Sequence, residues 1–71
     1  MFVVCRNKKD NTLFITTRMA REVMLRAYKM IGEKPLSNVL KSCETYADAD
    51  HFKKEQERID KELDNLLNKQ P

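Results

Sequence analysis

The chain opens with two short runs of strand-forming residues. Phe2-Val3-Val4-Cys5-Arg6 and Thr12-Leu13-Phe14-Ile15-Thr16 are rich in β-branched and aromatic side chains, and Asn7-Lys8-Lys9-Asp10-Asn11 between them is turn chemistry without glycine. This predicts a β-hairpin over residues 1–16 with a basic tip. A two-stranded sheet is marginal alone, so the hairpin has to pack on a helix, and its edges stay open for pairing.

The period then changes to that of helices. Thr16 or Thr17 caps a first helix over residues 17–31, which stops at Gly32, the only glycine. Lys34-Pro35 restarts the chain with proline at a favoured first-turn position. Leu36, Val39, Leu40 and Cys43, followed by Tyr46 or Ala47, form an i, i+3, i+4, i+7 stripe that predicts a second helix over 35–46. Phe52, Ile59, Leu63 and Leu66 share one narrow face of a third, charged helix over 49–69. Leu36 and Phe52 would lie roughly 160° apart on one continuous helix, so a break near Ala47-Asp48-Ala49-Asp50, with aspartate as the new N-cap, lets both stripes face one core. The expected fold is α+β: an N-terminal two-stranded β-hairpin followed by three α-helices (ββααα), with the helices packed on one face of the hairpin.

The first helix is apolar over an unusually wide arc, formed by Met19, Ala20, Val23, Met24, Ala27, Met30 and Ile31 and bordered by Tyr28. A helix of this kind is central to its fold or shares a second surface. Its polar arc is Arg18, Arg21, Glu22, Arg26 and Lys29, with Leu25 projecting from the middle. The candidate partner-binding residues are therefore Leu25, Arg18, Arg21, Lys29 and Tyr28. The third helix reads as a solvated arm, supported by Asp50–Lys54 and Glu57–Lys61 pairs at i, i+4. Phe52, Ile59 and Leu66 at one heptad position, with Gln56 and Leu63 at the other, make too short a run for a self-standing coiled coil.

Length and composition set the energetic frame. Seventy-one residues, 41% of them hydrophobic and 35% charged, allow one domain with a thin core, in a size range that usually needs extra burial. Collagen-like, low-complexity and disulfide-dense classes are excluded. No apolar run approaches a membrane span, and Met1–Cys5 is too short for a signal-peptide core, so a cytoplasmic location is expected. In that setting Cys5 and Cys43 are expected to be reduced.

Charge is divided unevenly. Residues 1–34 carry eight basic and three acidic side chains, a net of +5, whereas residues 35–71 carry six and eight, a net of −2. This asymmetry suits an anionic partner at the N-terminal half or electrostatic pairing between halves.

Catalytic chemistry finds no motif. There is no glycine-rich phosphate loop, no G-x-S-x-G and no Walker pattern. His51 is the only histidine, and no Cys-x-x-Cys or His-x-x-x-His occurs, so neither a metal nor a cofactor is expected. Two binding classes remain. In the first, Lys8, Lys9, Thr16, Arg18, Arg21 and Arg26 contact nucleic acid, with Lys29 as a further phosphate contact. Across residues 12–46, the order strand, helix, glycine turn, helix, with Thr16-Thr17-Arg18-Met19-Ala20-Arg21-Glu22-Val23 leading into the helix, resembles the ribbon-helix-helix repressors. That resemblance implies a dimer whose paired ribbon enters the major groove, with Phe14, Thr16 and Arg18 on the reading face. In the second class, ranked first, the chain is a small regulatory, adaptor or inhibitor protein. Its hairpin edge and apolar first helix then meet a protein partner, self or foreign.

Overall fold

Three consecutive apolar residues, Val3, Val4 and Cys5, are all buried, the signature of a strand covered on both faces. In a computed structural model, which describes residues 1–68, they lie in β1 (Phe2–Asn7), the central strand of a three-stranded antiparallel sheet. β2 (Leu13–Thr17) pairs with it on one side and β3 (Ser37–Cys43) on the other, giving the order β2-β1-β3. The helices are α1 (Arg18–Ile31), between β2 and β3, and α2 (Tyr46–Asn68), after β3.

The fold is therefore α+β, but ββαβα rather than a two-stranded hairpin with three helices. The expected hairpin is present. Its turn is closed by Asn7 N–H donating to the Thr12 carbonyl at 2.8 Å, and Asn11 takes the left-handed conformation that asparagine tolerates, φ 64°. Asp10 accepts from the Thr12 hydroxyl at 2.7 Å and its amide at 3.1 Å, and these bonds hold its carboxyl below the usual range.

The predicted second helix over 35–46 is overturned: its central residues form β3. Ser37, Asn38, Val39, Ser42 and Cys43 are mediocre helix formers, and β1 offers them a full ladder of backbone partners. The strand accommodates the helix-like spacing of Val39, Leu40 and Cys43 with a bulge. Val4 pairs with Lys41 while its neighbour Cys5 pairs with Val39, leaving Leu40 as the extra residue. The break expected between the second and third helices is thus a strand-to-helix turn. Thr45, not an aspartate, caps α2, its hydroxyl accepting from the Asp48 amide at 3.1 Å. α2 begins at Tyr46, before the expected 49; residue 69 of the expected helix lies outside the described residues.

Nor do the helices share one face. Side chains alternate along β1. Val4 packs with Cys43, Ala49 and Phe52 in the core beneath α2, where Phe2 and Ile15 complete it. Phe2 also meets Tyr46 edge-to-face at 5.7 Å, and the Lys41 ammonium lies 5.2 Å from the centre of the Phe52 ring. Arg6, two positions on from Val4, pairs with Asp60 of α2 at 2.9 Å. Cys5 lies on the other face, where Arg21 of α1 reaches it.

Candidate interaction surface

α1 is a well-built helix with no buried residue. Thr17, the last residue of β2, is its N-cap and accepts from the Ala20 amide at 3.1 Å. Gly32 closes it in the left-handed conformation, φ 74°, and the Glu33 amide donates to the Tyr28 carbonyl at 3.0 Å. Because β2 runs into α1 through a single capping residue, the helix has little freedom to choose which side meets the sheet.

The side that meets it is not the apolar one. Arg21, Leu25 and Tyr28, at i, i+4, i+7, are the half-buried positions of α1. Arg21 donates to the Ser37 hydroxyl at 2.7 Å, to the Ser37 carbonyl at 2.9 Å and, more weakly, to the Cys5 sulfur at 3.6 Å. Leu25 lines a cleft of about 370 Å³ between α1 and the sheet, together with Val3, Arg18, Arg21, Val39 and Ser42. Burial pushes the Cys5 thiol above its ordinary value, outweighing the opposing pull of the Arg21 charge and hydrogen bond.

The apolar arc points outward. Met19, Ala20, Val23, Met24, Ala27, Met30 and Ile31 are all exposed, with Met19 at 76%, Val23 at 60% and Met30 at 87%. Scattered exposed apolar side chains are ordinary, but seven on one face of a 14-residue helix form a contiguous patch, which makes this face the candidate interaction surface.

The sequence-derived candidates therefore separate. Arg21 and Leu25 face the sheet, and Tyr28 is half-buried on the same side of α1. Arg18 is exposed and engages Glu22 at 3.4 Å, and Lys29 and Arg26 are exposed with no ion-pair partner among the described residues. Lys8 and Lys9 stand exposed at the hairpin tip, while Thr16 is half-buried on β2. Residues 37–43 of the strand–helix–turn–helix order form β3 here, interrupting that order. The hairpin edge is also altered. Both edges of β1 are occupied, so the sheet ends at β2 and β3, and β3 exposes Asn38, Val39, Leu40, Lys41 and Ser42.

The sequence pattern identified the patch residues but not the side they occupy. It also missed a cleft of about 470 Å³ where β3 runs into α2, lined by Lys41, Glu44, Asp48, His51, Phe52 and Glu55 among others. No signal pointed there, because the cleft requires 37–43 to be a strand. No group of three or more metal-ligating side chains suited to an ion occurs among the described residues. No helix of the described residues is long and apolar enough to cross a membrane. Comparison with known proteins finds no match for the chain among family models, curated sequences or solved structures.

Proposed function

We propose that this chain is a small, non-enzymatic regulatory protein of adaptor or inhibitor type, acting through protein–protein contacts of α1. The observation that carries this reading is the outward rotation of α1. Its seven apolar residues are exposed while the Arg21–Leu25–Tyr28 side is spent on the sheet. A partner covering that arc supplies the apolar burial that a 71-residue core lacks. The exposed edge of β3 offers a second, adjoining mode, addition of a partner strand.

A photoreactive amino acid placed at Val23, and separately at the exposed Lys54 on the sheet-proximal half of α2 as a control, tests this in the native cell. The expected result is a protein adduct at Val23 that is absent at Lys54 and is lost when Met19→Asp is added. Equal labelling at both positions, or none at Val23, removes the proposal.

The alternative is a DNA-binding regulator that contacts phosphates through the exposed cations Lys8, Lys9, Arg26 and Lys29. Duplex DNA titrated at low salt decides between them. Binding that falls steeply as salt rises favours the alternative, and no binding leaves the protein partner.

A further inference from the structure

We propose that the partner covering the outward face of α1 is the distal half of α2 from a second copy of this chain. This rests on the protein-binding reading of α1 and names its occupant.

α2 is 23 residues long, about 34 Å. Its contacts with the sheet run through Ala49, Phe52 and Asp60, the last held by Arg6. Beyond that point every residue from 61 to 68 is exposed, so its last two turns project from the sheet. Yet the apolar stripe that starts with Ile59, 41% exposed, continues along them as Leu63, Leu66 and Leu67, which are 53%, 62% and 68% exposed. At about 100° per residue these four lie within an arc of roughly 100°. The projecting half of α2 is thus a second apolar helix face with nothing of its own chain to cover it among the described residues.

The two faces are complementary in charge. The flank of α1 beside Met19, Val23 and Met30 carries Arg26 and Lys29, both free of ion pairs among the described residues, whereas its single acid, Glu22, is taken by Arg18. The flanks of the α2 stripe carry Glu62 on one side and Asp64 on the other, with Lys61 on the back of the helix. Glu62 is held by Arg58 at 3.0 Å, and Asp64 has no cationic partner among the described residues. Packing α1 on α1 would set its basic flanks against one another. Packing α1 on the distal half of α2 sets basic flank against acidic flank around two apolar stripes, the pattern that specifies helix partners. A two-fold operator makes the contact twice, α1 on α2 and α2 on α1, and closes the assembly as a dimer.

The test is the mass of the full chain by sedimentation equilibrium from about 1 to 500 µM, with circular dichroism as a control for folding. The expected result is a dimer. Val23→Glu, at an exposed position, abolishes it without loss of helix signal. Arg26→Glu and Asp64→Lys each weaken association about tenfold, since each flank contact occurs twice, and the two substitutions combined in one chain restore it. A monomer throughout the range, a dimer unaffected by Val23→Glu, or an absence of rescue in the combined variant overturns the assignment. A monomer whose Val23 photoadduct is a foreign protein overturns only the second copy, while a monomer with no adduct removes the protein-binding reading as well.

Discussion

Arg21 of α1 and Ser37 at the start of β3 are joined by two hydrogen bonds from one guanidinium, at 2.7 Å to the hydroxyl and 2.9 Å to the carbonyl. Ser37 is the one buried polar residue among those described, and this pair ties α1 to the edge strand β3. It also fixes the rotation of α1, since Arg21 cannot reach Ser37 unless Met19, Val23 and Met30 point away.

Replacing Arg21 therefore tests the architecture. Arg21→Met keeps the aliphatic stem and leaves the Ser37 groups unpaired, and it is expected to cost about 1–3 kcal/mol in urea unfolding. Arg21→Lys recovers only part of this, because an ammonium lacks the planar fork that bonds both oxygens. A variant as stable as the parent shows that the pair does not hold α1.

The ends of α1 are expected to be sensitive for two different reasons. Thr17→Ala removes the acceptor for the Ala20 amide and costs about 1 kcal/mol. Gly32→Ala meets no atom within 4 Å, so its cost, also about 1 kcal/mol, is that of the left-handed backbone alone. Urea midpoints of the two variants check both values, and a neutral Gly32→Ala contradicts the positive φ.

Asp60 is held from two sides, by Arg6 of β1 at 2.9 Å and by Gln56 of α2 at 3.1 Å. Both ion-pair partners are part-exposed, so a double-mutant cycle of Arg6→Ala and Asp60→Ala is expected to give a coupling of at most about 1 kcal/mol, smaller in 1 M salt. A coupling that does not change with salt argues against an ionic contact.

The buried Cys5 thiol makes stability sensitive to alkali. Its folded pKa is raised above the ordinary 9.0, so the folded chain keeps a proton that the unfolded chain releases. The stability is intact below about pH 9 and falls as pH rises through that value. Urea midpoints between pH 7 and 10 are expected to drop, and Cys5→Ala to flatten the alkaline limb. Because both thiols are buried, Cys5 and Cys43 are also expected to react with a thiol reagent only as fast as the chain opens.

What the sequence alone determined is local. The hairpin follows from two β-branched runs around a turn-forming segment, α1 from a threonine, Thr16 or Thr17, and Gly32 at its ends, and the charged α2 from its i, i+4 pairs and apolar stripe. Each signal lies within a few residues of the structure it specifies. The seven apolar positions of α1 were legible as an excess over what one helix face needs. Tertiary structure decided the rest. Residues 37–43 carry a helical spacing, yet they pair with a strand thirty or more positions away, and a bulge at Leu40 absorbs the mismatch. That pairing makes β1 central and draws Arg21 onto Ser37. It thereby turns Leu25 and Tyr28 inward and the apolar arc of α1 outward. A periodicity records which residues share a face, but which face meets the core depends on backbone partners and hydrogen bonds contributed by distant segments.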